Sequence, residues 1–252
     1  MTKEVQECPI CKFDHHVEKY LDFYSRKDKK NKTCFFCTEC NFYFFDRNSL
    51  IFNQYVEDNL AASHPKPRHY LFKKIINKLS YQVESPKLLE IGAGNLHLAS
   101  MLPDINKTLV DCHKPKIIPK NSTFVLGELH KVDKFLHGGF DVIVIDNVLE
   151  HVEDFTNLID LCKGRLKSTG YIVISVPNKN NIKHIFNKNS EFKHPDEHIN
   201  IFSDGSLDLC LKRSGFKIKK CYFIPKNIFE FTAFFSFIGI SIFGVYRVYS
   251  KD

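Results

Sequence analysis

No apolar segment follows a basic start in this chain. MTKEVQECPICK opens polar and reaches a cysteine at position 8. A secretory signal is therefore not expected, and a cytoplasmic location is. No uncharged run has comfortable membrane-spanning length either. FTAFFSFIGISIFGVY, at 231–246, has sixteen residues between Glu230 and Arg247, and two glycines interrupt it. It is expected to form a helix followed by the last strand of a sheet, ISIFGVYRVYS. The alternative is an interfacial segment that brings the chain to a lipid-linked substrate. There is no internal repeat, which excludes a solenoid. Disorder of the whole is excluded too, because 43% of residues are hydrophobic and 13% aromatic.

The 252 residues suffice for one medium domain plus a small appendage. Part of the net charge of +7 comes from RKDKKNK at 26–32. Such a run reads as a solvated face, or as attraction to nucleic acid, a phosphorylated sugar or a membrane surface. Nine cysteines without a secretory signal point to a reducing compartment, where clustered thiols serve as metal ligands more often than as disulfides.

Four pieces are predicted. Residues 1–45 are rich in cysteine and aromatics and form a small zinc-ribbon domain. Residues 46–86 form a helical connector, with helical patches at 50–60 and 70–79. Residues 87–224 alternate β-like runs with helical stretches, the pattern of a parallel α/β sheet. The apolar tail completes a main domain spanning 87–252. Strands are expected at 87–91, 108–111, 123–126, 141–146 (DVIVID), 171–176 (YIVISV) and 216–224. FTNLIDLCKGRL places Phe155, Leu158, Ile159, Cys162 and Leu166 on one helical stripe that KSTG ends. SDGSLDLCLKRSGF reads as another helix, with a serine or aspartate cap and Gly215 past its end.

LLEIGAG at 88–94 is a strand running into a G-x-G turn. Such glycines let a backbone turn sharply and let a ligand approach without meeting a β-carbon. Asp111 lies 21 residues after Glu90, at the end of the next strand, where a carboxylate accepts from ribose hydroxyls. A dinucleotide site wants a third glycine at position 97, which is His97, and Glu90 would repel a pyrophosphate. S-adenosylmethionine fits better, with its ammonium and sulfonium and no phosphate. The bland alternative is a turn packed only for close helix–strand contact.

LLEIGAGNL, FDVIVIDNVLEHVED and LKSTGYIVISVPN together resemble class I S-adenosylmethionine-dependent methyltransferases over roughly residues 85–224. The resemblance implies a Rossmann-like, doubly wound α/β fold with a seven-stranded sheet in the order 3-2-1-4-5-7-6. It implies that Gly92, Ala93 and Gly94 line the methionine and ribose, with Glu90 nearby and Asp111 on the ribose hydroxyls. Glu128 matches an acidic position near the adenine, and Asp146 and Asn147 would close the site. Leu96 stands where many members have a further glycine.

Cys8 and Cys11 form one C-x-x-C, and Cys34, Cys37 and Cys40 offer two overlapping ones. Two such knuckles enclose a zinc ion with four thiolates and no open position, so the ion would be structural. Cys37 and Cys40 are the preferred second knuckle, with Cys34 spare. His15 and His16 remain substitute ligands, and buried free thiols the metal-free alternative. The layout resembles bacterial methyltransferases that carry an amino-terminal ribbon, among them deoxysugar C-methyltransferases. Asn41 stands where their glycine follows, and their long carboxy-terminal domain has no counterpart here.

HPDEHINIFS at 194–203 resembles a segment of the same relatives whose Glu and His face the substrate, which maps to Glu197 and His198. His194 lies nearby. His151, in LEHVED, follows the fourth strand, where substrate sites open in such sheets. A neutral imidazole suits proton removal near pH 7. Each histidine has a bland alternative, as a helix-start hydrogen bonder or a satisfied loop residue. The expectation is a methyltransferase acting on a small molecule, such as a sugar or sugar nucleotide of glycan or secondary-metabolite assembly. The rivals are an RNA methyltransferase, suited by the basic run, and a pseudoenzyme that only binds cofactor. Oligomeric state is left open.

Overall fold

A computed structural model of the protein describes residues 6–25, 29–46, 65–179, 195, 197–222 and 245–251. The helical patch expected at 50–60, His194 and most of the apolar stretch 231–246 lie outside the described residues. Among the described residues no helix is long and apolar enough to cross a membrane.

Strands β1 (Val17–Ser25), β2 (Lys30–Cys37) and β3 (Phe42–Phe45) form an antiparallel meander. Helix α1 (Pro67–Ser80) follows. Then come β4 (Lys87–Ile91), α2 (His97–Ser100), β5 (Asn106–Asp111), β6 (Ser122–Leu126), α3 (Leu129–Val132), β7 (Phe140–Asp146), α4 (Phe155–Arg165) and β8 (Leu166–Val176). The chain closes with β9 (Asn200–Ile201), α5 (Asp204–Arg213), β10 (Phe216–Tyr222) and β11 (Val245–Lys251).

Seven strands make one sheet in the order β10-β11-β8-β7-β4-β5-β6. Counted from Lys87 onward, that is 3-2-1-4-5-7-6, as the resemblance implies. β4 to β8 run parallel, and β11 enters antiparallel between β8 and β10. The β-branched strands β7 and β8 are buried on both faces, which is why they read as nearly continuous apolar runs. Alternate residues serve opposite faces. Leu89, Ile91, Ile143, Ile145, Ile172 and Ile174 pack with Phe155, Ile159 and Leu211 of α4 and α5. Leu88, Val142, Val144 and Val173 pack on Phe72, Ile75 and Ile76 of α1. Helix α1, in the expected connector, thus lies directly under the sheet.

The helix stripe predicted to include Leu166 stops one residue short. Helix α4 ends at Arg165, and Leu166 opens β8 opposite Phe140, with KSTG inside the strand. Arg165 is fastened to Asp133 (Nη2 to Oδ2, 2.6 Å) and donates to the Leu136 carbonyl at 2.9 Å, which fixes the exit of the helix. At Gly170 a β-carbon would meet the Leu166 side chain at 2.8 Å and the Phe140 carbonyl at 2.9 Å, so only glycine lets the strand pass. The second predicted helix is capped as expected: Ser203 accepts from Ser206 N, and Gly215 (φ +73°) ends it.

The meander is joined to the large domain by backbone. β9 adds a fourth strand to it, with Tyr43 opposite Ile201 and Phe44 opposite Asn200. Phe42 packs against Phe155 and Phe202 at ring distances of 5.7 and 5.1 Å. Ser203 Oγ donates to the Asn41 carbonyl at 2.9 Å. Asn41 adopts φ +48°, and asparagine is among the few non-glycine residues that tolerate this region, which accounts for its standing in a glycine's place. The basic run is only partly a solvated face, because Lys32 is buried in β2 while Lys29, Lys30 and Asn31 are exposed.

Candidate active site

The turn after β4 is built as the glycines promised. Gly92 and Gly94 have φ of +69° and +49°. A β-carbon on Gly92 would stand 2.4 Å from Val148 Cγ2, so no larger residue fits. Gly92 N donates to the Val110 carbonyl at 2.8 Å, and Gly94 N to Asp111 Oδ2 at 2.8 Å. The other Asp111 oxygen accepts from His113 N at 2.8 Å. The carboxylate is therefore locked at the tip of β5, beside the glycine corner. Leu96 holds φ +57° as the residue before α2, a conformation costly for leucine, while its side chain is buried with Ala93, Ala99 and Leu109.

Three carboxyls converge behind this corner. Glu90 is 4% exposed, and its Oε2 has no hydrogen-bond partner among the described residues. Burial first, and then the neighbouring Asp146 and Asp111, push its carboxyl up to about 8. Asp146, at the end of β7, accepts from Ser175 Oγ and from Arg68 Nε at 2.7 Å. His69 Nε2 stands 3.6 Å from the same carboxylate, and His69 Nδ1 accepts from Lys66 N at 3.0 Å. Burial holds the His69 imidazole down at about 4, so it is neutral at pH 7. Asn147 (φ +56°) places its Oδ1 2.9 Å from the same Ser175 Oγ, whose one proton faces the closer Asp146. Glu128 stands at the N-cap position of α3 without a side-chain capping bond and is half exposed, its carboxylate bound by Lys131 Nζ at 2.5 Å.

A second group gathers just past β7. The loop at 149–152 and the segment at 197–200 are pinned together: Ile199 N and Asn200 N donate to the Glu150 carbonyl at 2.8 and 3.1 Å. Asn200 Nδ2 donates to the Leu149 and Val152 carbonyls at 2.9 and 2.7 Å. The His151 and His198 rings consequently lie 4.9 Å apart. His151 Nδ1 is 2.7 Å from the Glu197 carbonyl, and burial lowers the pKa of its imidazole. Glu197 presents its main chain to His151, and the residue is itself exposed.

The profile of a family described as a methyltransferase domain matches residues 65–220. This chain belongs to that methyltransferase family. With the sheet order above, it is a class I S-adenosylmethionine-dependent methyltransferase. No curated protein matches its sequence. Solved structures share the fold at low identity. One is the 1,6-didemethyltoxoflavin N1-methyltransferase of Burkholderia thailandensis, bound to 1,6-didemethyltoxoflavin and S-adenosylhomocysteine. It is 17% identical, with a TM-score of 0.53 over 74% of this chain and 79% of its own. A methyltransferase from Archaeoglobus fulgidus is 20% identical, with a TM-score of 0.52 over 78% and 97%. The plantazolicin methyltransferase BamL, in complex with a triazolic desmethylPZN analog and S-adenosylhomocysteine, is 14% identical, with a TM-score of 0.55 over 72% of this chain and 83% of its own.

The methyltransferase also carries the expected thiol cluster. Cys8, Cys11, Cys37 and Cys40 are buried, with their sulfurs all within 4.8 Å of one another. The Cys11 and Cys37 sulfurs are 3.7 Å apart. A tetrahedral zinc with bonds of about 2.3 Å sets sulfurs about 3.8 Å apart, so the donor set fits that ion. Cys34 packs elsewhere, with Tyr43 and Phe45, and its thiol faces the Phe35 carbonyl. His15 is exposed, and neither His15 nor His16 belongs to the group.

Three residues beside the candidate site escape sequence reading. Arg68 and His69 reach Asp146 across 78 and 77 positions, and the only local sign of them is the polar stretch SHPKPRH. Glu150 stands beside His151 in LEHVED, and no spacing in the sequence marks it.

Proposed function

We propose that this methyltransferase moves the methyl group of S-adenosylmethionine onto a small, oxygen-rich acceptor such as a sugar or sugar nucleotide. The observation that carries the reading is the Glu90 corner: a buried carboxyl with an orphaned oxygen beside a turn that a single β-carbon would fill. That arrangement suits an ammonium and repels a pyrophosphate. Gly92, Ala93 and Gly94 leave room for the methionine and ribose. Asp111 keeps lone pairs for the ribose hydroxyls, Glu128 guards the adenine side, and Asp146 and Asn147 close the floor. Arg68 offers a guanidinium to the methionine carboxylate.

The bound cofactor supplies a methyl carbon activated by its sulfonium. A lone pair of the acceptor forms the new bond to that carbon as the carbon–sulfur bond breaks, and the displaced sulfur keeps the electron pair as a neutral thioether. The protein's part is alignment and removal of the acceptor proton. His151 and His198 stand at the carboxyl end of the sheet, where acceptors approach, and we assign the proton's departure to that side with Glu197 at its rim. The cysteine ribbon is assigned a structural zinc that holds β2, β3 and the amino-terminal loop together. The toxoflavin and plantazolicin enzymes act on small molecules, which supports the class of acceptor.

The test is a screen of cell metabolites and nucleotide sugars with methyl-labelled cofactor. Label in a small product supports the reading. Label only in RNA selects the rival, and cofactor binding without any labelled product marks a pseudoenzyme. His198→Ala is expected to impair turnover far more than cofactor affinity, and equal activity of variant and parent would remove His198 from the chemistry.

A further inference from the structure

Glu150, His151 and His198 each present one donor atom, and the three atoms lie within 4.8 Å of one another. The geometry points to a second metal site here, open where the cysteine site is closed, taking a divalent transition ion of the zinc class. The His151 tautomer decides it. Its Nδ1 lies 2.7 Å from a main-chain carbonyl, and a carbonyl only accepts, so Nδ1 carries the proton. In the neutral ring the lone pair is then on Nε2, which lies 3.9 Å from Glu150 Oε1. A lone pair and a carboxylate oxygen this close repel each other, and a metal ion between them relieves the repulsion as a shared proton would. A ligating histidine is held in the same way, with its far nitrogen donating to a carbonyl or carboxylate.

The set is rigid before any ion arrives. Glu150 is 1% exposed, and its carbonyl holds Ile199 N and Asn200 N, while Asn200 clamps the backbone on both sides of it. His198 is thereby fixed beside His151. Two imidazoles and one carboxylate form a three-ligand set that leaves a fourth position for water or substrate. The loop follows β7 directly, four residues after Asp146. An acceptor oxygen in the open position would be oriented and made more acidic by the ion. This last step rests on the proposed methyl transfer; the metal site does not. With the ion bound, His198 acts as its ligand.

The test titrates zinc, and separately cobalt, into the full-length protein whose ribbon site is already filled. The parent is expected to take up about one further equivalent, while Glu150→Gln and His198→Ala take up none. The cobalt form should gain visible ligand-field bands without the near-ultraviolet thiolate bands of a cysteine site. Melting curves matching the parent's show that the variants are folded. Uptake equal in parent and both variants, or a purely thiolate spectrum, overturns the inference. Zinc binding as expected without methyl transfer to any acceptor sinks the functional reading alone. Full methyl transfer by protein holding only the ribbon ion removes the ion from the reaction, and zinc uptake by the parent then decides the site by itself.

Discussion

Cofactor binding should expel a proton from Glu90. The Glu90 carboxyl is pushed from its ordinary 4.5 up to about 8, by burial first and by Asp146 and Asp111 second. A group titrating near 8 is about nine-tenths protonated at pH 7. An ammonium placed beside it favours the carboxylate, so up to about 0.9 proton should leave per molecule bound at that pH. Affinity should then climb about tenfold per pH unit below 8 and level off above it. Calorimetry with S-adenosylhomocysteine, which keeps the ammonium, reads this directly: heats in phosphate and in Tris at pH 7 should differ by the released protons times the difference in buffer ionisation enthalpy. Glu90→Gln keeps the shape and should erase both the buffer dependence and the pH slope. Identical heats in the two buffers, with flat affinity from pH 6 to 9, would refute the reasoning. The same shift acts on the empty protein. The folded-state value lies above the unfolded one, so the unfolded chain ionises first as pH rises. This contribution to stability is whole below 4.5 and is lost towards about 8, amounting to at most about 5 kcal/mol. Glu90→Gln should therefore melt higher than the parent at pH 8 and much like it at pH 4.5.

Freshly purified protein should hold about one tightly bound zinc, and Cys37→Ser should lose it and expose the ribbon to protease while cofactor still binds. Asp111→Ala frees Gly94 N and His113 N together and removes the ribose partner, so cofactor affinity should fall at least about tenfold, by a charge-assisted hydrogen bond or more; an unchanged dissociation constant would remove Asp111 from the site. Leu96→Gly relieves about 1–2 kcal/mol of left-handed strain but vacates a buried leucine pocket costing about 2–5 kcal/mol, so a net loss is expected in urea unfolding. Phe72→Ala, under the sheet, should cost about 3–5 kcal/mol.

The features legible in the sequence are those that short stretches decide. DVIVID and YIVISV announce strands by β-branching alone, and LLEIGAG announces its turn because no other residue fits at Gly92. The C-x-x-C pairs show their geometry by spacing. The features hidden from the sequence depend on distant partners. Nothing in PRHYLF says that Arg68 will meet Asp146, because an ion pair across the fold leaves no periodicity behind. Leu166 fits the α4 stripe perfectly well; the helix stops before it because Arg165 is held by Asp133 and because Gly170 lets the strand turn past Phe140. The two-residue strand β9 is too short for any pattern, and only its pairing with β3 defines it.

That pairing has a consequence for how the protein is made. β3 leaves the ribosome early, yet its partner Asn200–Ile201 is synthesised roughly 160 residues later, some 8–30 s at ordinary elongation rates. Through that interval the nascent chain carries the sequence FYFF with an unpaired hydrogen-bonding edge, an invitation to intermolecular pairing. Yield of soluble protein should accordingly respond to translation speed and chaperone supply, and truncation before residue 200 should leave a product that clumps.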